Sequence, residues 1–310
     1  MGTAFSQFFP PSPDLTERNL PSQKGKVFIV TGGASGVGFE LATILFHAGG
    51  KVYIAGRSES NAQQSIDKIK SGTHDISSVG ELEHLHLELD DLSTIKSSAE
   101  TFMKKEPKLD VLWNNAGVSM APIGSKSAQG HELHIATNCL GPFLFTQLLL
   151  PTLKAAAHDA PPASVRVVWT SSQTLDAPPA DKTKLYVASK AGNWFLGSEM
   201  ARAPAPHGIL SVTQNPGNLK TNLLRHAPWM KYVSYPLLYQ PKFGAYTELW
   251  AGLAQDLTVE GNGSYVIPWG RIHSAPRKDL LDALKSVEEG GTGRAREFWE
   301  WCEKLTAEYK

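Results

Sequence analysis

From Lys26 onward the chain repeats one unit: a short apolar run, then a longer stretch whose apolar residues recur at helical spacing. That alternation is the pattern of βαβ units, in which parallel strands are covered by helices on both faces. It predicts strands at Lys26–Val30, Lys51–Ala55, Glu83–Leu87, Val111–Trp113, Val165–Trp169, Leu210–Gln214 and Ser264–Ile267. Helices are predicted over 36–48, 59–71, 93–104, 129–155, 184–202 and 242–254. The expected fold class is α/β, a single Rossmann-type, doubly wound sheet of seven parallel strands joined by right-handed crossovers. It divides the chain into an N-terminal extension over 1–24, a sheet domain over 25–275 and a helical tail over 276–310. The widest gap between strand and helix signals, 219–243, carries Leu223, Leu224, Trp229, Met230, Tyr232, Tyr235, Leu237 and Leu238. It follows the sixth strand at its carboxyl end, so it reads either as a lid over an apolar pocket or as an excursion packed into a core or dimer face.

Composition narrows the partners. Thirty basic and thirty acidic residues cancel, so no global field draws the chain to nucleic acid or an anionic membrane, and a small molecule is the expected partner. Cys139 and Cys302 are the two cysteines, with no Cys/His set spaced for a metal, so neither zinc nor a disulfide framework is expected. No run of about 18 apolar residues and no signal-peptide pattern is visible, and the expected location is cytoplasmic. Met1-Gly2-Thr3-Ala4-Phe5-Ser6 fits the loose myristoylation pattern; the plainer reading is that Phe5, Phe8 and Phe9 tuck onto the body of the protein.

Thr31-Gly32-Gly33-Ala34-Ser35-Gly36-Val37-Gly38 directly follows an apolar strand and opens a helix, the context a dinucleotide site requires. Gly32 lets the chain turn, Gly36 lets backbone N–H groups approach a pyrophosphate, and Gly38 lets helix and strand pack closely. The phosphates are expected at the positive helix N-terminus, with Ser35 and Val37 among the contacts. Where NAD usually meets an acidic side chain at the end of the second strand, this chain has Arg57. A guanidinium fork matches a 2′-phosphate, which favours NADP(H).

Tyr186-Val187-Ala188-Ser189-Lys190 puts tyrosine and lysine four residues apart, on one helical face. A phenol with a pKa of about 10 is a weak acid–base catalyst at neutral pH, and a nearby ammonium is expected to lower it. Ser171-Ser172 ends the preceding strand, and Ser172 is the expected partner of the substrate oxygen.

Taken together, Thr31 to Gly38, Asn114-Asn115-Ala116-Gly117, Asn138, Ser172, Tyr186/Lys190 and Asn215-Pro216-Gly217 make residues 25 to 270 resemble the short-chain dehydrogenase/reductase family. A finer resemblance, through Gly244 to Leu249 and Tyr265 to Arg271, is to its retinol-dehydrogenase-like and WW-domain-oxidoreductase-like members, including fungal ones. The resemblance implies that Asn115 steadies the sheet beside the adenosine and that Asn138 holds a water linking Lys190 to solvent. It implies further that Leu219 and Thr221 touch the cofactor and that Tyr186 and Lys190 both bind and catalyse. The third strand departs from the family's Leu-Asp-Leu: it reads Leu87-Glu88-Leu89-Asp90-Asp91, where Glu88 aligns best and Asp90 or Asp91 can serve instead. Similar proteins dimerise through the helices expected at 129–155 and 184–202, which leaves a homodimer open. The expected activity is an NADP(H)-dependent carbonyl reductase or alcohol dehydrogenase. The other readings are an epimerase or dehydratase, and a nucleotide-binding scaffold or redox sensor without turnover.

Overall fold

The computed structural model describes residues 3–73, 79–176, 183–202, 208–221 and 238–310. Its strands are β1 (Val27–Thr31), β2 (Lys51–Gly56), β3 (Glu81–His86), β4 (Val111–Asn114), β5 (Val165–Thr170), β6 (Ile209–Gln214) and β7 (Tyr265–Ile267). They lie in the order β3-β2-β1-β4-β5-β6-β7 and are all parallel. The sheet has one strand more than the seven expected. Arg271–Ile272, β8, pairs antiparallel with β7, and two residues are too few for periodicity to register. Every residue of β1, β4, β5 and β6 is buried, as strands covered on both faces require. Strand order reverses between β1 and β4, so the crevice outside their carboxyl ends is the ligand position of a doubly wound sheet.

The helices are α1 (Thr3–Phe8), α2 (Gly36–His47), α3 (Glu59–Ser71), α4 (Leu92–Lys105), α5 (Gly141–His158), α6 (Lys184–Arg202), α7 (Pro241–Leu253), α8 (Lys278–Leu284) and α9 (Arg294–Thr306). Alternate residues of each strand feed opposite cores. Phe28 and Val30 face Leu41, Ile66 and Leu249 of α2, α3 and α7. Val27 and Ile29 face Ile95, Phe143, Leu196 and Trp299 of α4, α5, α6 and α9. Ser58 and Asp91 start α3 and α4 by accepting from Asn61 N and Ser93 N. On α7, a Cβ at Gly252 would lie 2.1 Å from Cζ2 of the fully buried Trp113. Gly252→Ala is therefore expected to cost about 1–3 kcal/mol of unfolding free energy, as overpacked cores do. Urea denaturation measures it, and an unchanged midpoint would refute the contact.

Two expectations are corrected. The helix expected over 129–155 is broken. Residues 126–132 form a turn closed by the Lys126↔Glu132 bridge, helix starts at Leu133 under the Glu132 cap, and Ala136–Leu140 widen into a π-turn before α5. Phe5, Phe8 and Phe9 do not tuck onto the body: they are 52%, 38% and 54% exposed, and the buried residue of that segment is Gln7. α9 packs on α6 and sets Trp299 edge-on to Phe143 of α5 at 4.9 Å. Leu133–His158 is, among the described residues, long and apolar enough to cross a membrane, yet Phe143, Leu144, Phe145, Leu149 and Leu153 within it are fully buried core. Gly2 and most of the expected lid, Leu223, Leu224, Trp229, Met230, Tyr232, Tyr235 and Leu237 included, lie outside the described residues.

Candidate active site

The glycine turn sits at the switch point. Gly32 N donates to Ala55 O, and Gly36 opens α2 with φ +56. A Cβ on Gly38 would lie 2.7 Å from both Gly32 O and Asn115 Nδ2, so that position is closed by packing. At Gly36 the nearest atom to such a Cβ is Thr221 Cγ2 at 3.6 Å, which places Thr221 across the turn from the helix N-terminus. Ser35, the N-cap of α2, makes no side-chain capping bond, so the first-turn N–H groups get no partner from it. A cradle with room above Gly36 and none at Gly38 fits a dinucleotide pyrophosphate. Val37 and Leu219 are buried against α7, where a Cβ on Gly244 would meet them at 3.0 and 2.3 Å.

Asn115 Nδ2 donates to Thr31 O at 2.8 Å, and Thr31 Oγ1 bridges from Ala116 N to Trp113 O, tying β1 to β4 beneath the turn. At the adenosine end, Arg57 is largely exposed, and its Nη1 lies 3.4 Å from Asp90 Oδ2. Asp91 is occupied as the α4 cap and as acceptor from Gln129 Nε2 at 2.7 Å. Those two acids are thus already paired, while Glu88 is half-buried above the end of β3.

Asn138, Ser172, Tyr186 and Lys190 converge outside β4 and β5. The π-turn rolls Asn138 inward. Its Oδ1 accepts from Val118 N at 2.8 Å, and its Nδ2 donates to Val118 O at 3.0 Å and Ser189 Oγ at 2.9 Å. Such bulges recur at functional sites because they re-aim one side chain without ending a helix. A Cβ on Gly117 would lie 3.1 Å from Asn138 Oδ1 and 3.2 Å from Lys190 Nζ, so backbone, amide and ammonium meet there. Lys190 Nζ donates to Thr170 O at 2.9 Å and stands 5.8 Å from the centre of the Tyr186 ring. Ser172 hydrogen-bonds the Tyr186 phenol, whereas Ser171 Oγ donates to Lys190 O at 2.9 Å and so faces the helix backbone.

The electrostatics differ from the simple expectation of an acidified phenol. Burial is the largest influence on Tyr186 and raises its pKa, with the Ser172 hydrogen bond opposing it. Burial also pushes the Lys190 ammonium down to about 8, against the pull of Cys139 and Glu248. The phenol is thus held protonated, with a readily deprotonated lysine beside it. Cys139 is fully buried and pushed up to about 12, which removes it as a nucleophile.

Sequence reasoning missed several groups here. Thr170 links the site to the core: its carbonyl takes Lys190 and Asn193, and its hydroxyl takes part in a buried cluster with Gln214 and Glu248. Glu248, wholly buried, was visible as one acid inside the apolar run Gly244 to Gly252, and a charged residue on an all-buried helix is a readable signal. His134, whose ring centre is 6.3 Å from that of Tyr186, is held by Glu132 Oε1 at 2.6 Å. Nothing in its local spacing announces it.

Comparison with known proteins agrees with this geometry. A family model described as short chain dehydrogenase matches residues 26–230. A short-chain dehydrogenase/reductase of Pestalotiopsis fici is 43% identical, over 97% of this chain and 97% of its own length. Another, of Phomopsis amygdali, is 44% identical over 99% and 97%. Among solved structures, a short-chain type dehydrogenase/reductase from Mycobacterium marinum matches with a TM-score of 0.68 at 19% identity, covering 82% of this chain and 98% of that one. The Pseudomonas aeruginosa RhlG/NADP active-site complex matches at 0.66 and 23%, covering 79% and 95%. A dinucleotide turn at the switch point, with a Tyr-Lys helix beside it, defines a nicotinamide-dependent oxidoreductase. This chain belongs to the short-chain dehydrogenase/reductase family.

Proposed function

We propose that the protein is an NADP(H)-dependent oxidoreductase that moves hydride between the nicotinamide and a carbonyl or alcohol of a largely apolar small molecule. The observation that carries this reading is the convergence of Ser172, Tyr186, Lys190 and Asn138 outside the carboxyl ends of β4 and β5. Gly32, Ser35, Gly36, Val37, Gly38, Asn115, Leu219 and Thr221 are the cofactor's holders along the crevice, and Glu88 is the acid left for the adenine. When bound, the reduced dinucleotide supplies the hydride. Ser172 holds the substrate oxygen, and Tyr186 gives that oxygen its proton as the carbonyl becomes an alcohol. Lys190 holds the ribose side of the site and stabilises the phenolate left behind, and Asn138, whose Oδ1 keeps a second lone pair beyond its bond to Val118 N, is the residue to hold a water linking the lysine to solvent. In the oxidation direction the phenolate takes the alcohol proton back. The apolar substrate is suggested by the leucine and aromatic residues of 219–243. A cytoplasmic, reducing location fits the two cysteines, both free thiols and buried.

Arg57 decides the cofactor. A charge-assisted pair with a phosphate is worth about 1.5–3 kcal/mol, or roughly 10–150-fold in affinity. Arg57→Ala is expected to weaken NADPH by that factor and leave NADH nearly unchanged, read by nicotinamide fluorescence. Equal losses for both would remove the 2′-phosphate from the argument. Cofactor binding without turnover of any ketone or aldehyde would favour a scaffold over an enzyme.

A further inference from the structure

α1 is far from the site in sequence and close to it in space. Gln7, 1% exposed, donates from Nε2 to Asp176 Oδ2 at 2.6 Å and accepts at Oε1 from Asn215 Nδ2 at 2.8 Å. Its amide orientation follows from chemistry, since a carboxylate only accepts. Asp176 ends the turn Gln173–Asp176 that directly follows Ser172, and its other oxygen is held by His273 Nε2 at 3.0 Å. Asn215 follows β6 and fixes the next turn by accepting from Gly217 N at 2.9 Å. Arg271 Nη2 donates to Ser6 O at 2.8 Å. Tyr239, bridged to Leu219 at the foot of the 219–243 segment, donates from its hydroxyl to Phe8 O at 3.1 Å. α1 is therefore bonded to the loops at the carboxyl ends of β5, β6 and β7, outside which ligands of a doubly wound sheet bind. Burying a primary amide is costly unless both of its ends are paired, and both are paired here to loops of the candidate site.

We propose that α1 is a wall of the substrate pocket and that Gln7 is a specificity-determining residue. It spaces the serine-bearing turn after β5 from the Asn215–Gly217 turn after β6, so that α1 meets the bulk of the substrate beyond its reacting carbon. The proposal rests on the carbonyl-reductase reading above. Gln7 touches no reacting atom and acts through Asp176 and Asn215.

The test compares the full-length protein and its Gln7→Leu variant on butanal and on 1-tetralone, with NADPH. The variant is expected to raise KM for 1-tetralone about tenfold, a change of about 1.4 kcal/mol. It should leave kcat, the KM for butanal and the NADPH Kd within twofold. A merely structural role would lower Tm and move both KM values together or neither, and that result overturns the proposal. Should the wild type turn over neither compound, the carbonyl reading fails separately. The wall is then read by titrating both compounds onto protein loaded with NADP⁺ and following tryptophan fluorescence. Selective loss of 1-tetralone binding in Gln7→Leu supports the wall, and unchanged selectivity overturns it.

Discussion

Replacing Tyr186 by phenylalanine is expected to lower kcat for carbonyl reduction by about 10²–10⁴-fold, the usual contribution of a positioned general acid, while NADPH binding stays within a few-fold. The ring remains, buried between α6 and the His134 side chain, so packing changes little and the loss reports the missing proton. The pH dependence follows from the same burial. Tyr186 is raised above the ordinary phenol value and is protonated at neutral pH, the state a proton donor needs. Lys190 is pushed down to about 8, so its positive charge is lost as pH rises through that value. Wild-type reduction should therefore hold steady in mild acid and fall above about pH 8, while alcohol oxidation, which needs the phenolate, should gain with pH. Stopped-flow NADPH oxidation with a ketone and NADP⁺ reduction with the matching alcohol, each across pH 6–10, read the two directions. A Tyr186→Phe enzyme that keeps wild-type kcat would remove the phenol from the mechanism.

The parts of this site legible in the sequence are those carried by local rules. The Gly32 to Gly38 turn can be read because an apolar strand, a positive-φ glycine and a helix start must coincide there. Tyr186 and Lys190 can be read because four residues make one helical turn. The parts that stayed hidden depend on contacts between distant segments. The family resemblance names Asn138 but not the π-turn that carries it, because the continuous apolar pattern around it predicts an unbroken helix. Gln7 lies 208 positions from Asn215, and no periodicity links them. The same holds for β8, too short to show a pattern, and for α9, whose amphipathic face signals a helix without saying that it covers α5 and α6. Local chemistry was visible, and the long-range closure of the site was not.

Glu248→Gln should change how stability depends on pH. The carboxyl is wholly buried on α7, with Oε1 accepting from Thr170 Oγ1 at 2.9 Å and Gln214 Nε2 at 2.7 Å. Desolvation dominates and pushes its pKa up to about 8, against the pull of Thr170 and Lys190. Between the unfolded value near 4.5 and about 8, the folded protein holds a proton that the unfolded chain has released. Its contribution is therefore fully present below the unfolded pKa and is lost as pH rises through the folded one. The size of that loss is on the order of a few kcal/mol. Glutamine keeps the acceptor for Thr170 and Gln214 and cannot ionise, so the variant should match the wild type near pH 4 and exceed it by pH 8 in urea denaturation. Parallel stability curves would show that the carboxyl does not titrate in the folded state. A second consequence reaches the site through Thr170, whose carbonyl holds the Lys190 ammonium. A Glu248 carboxylate raises the Lys190 pKa, so removing it should move the alkaline fall of reduction to lower pH. A variant that gains stability at pH 8 without moving that limb would confine Glu248 to the core, whereas both shifts together would make the buried acid a setting for the lysine's charge.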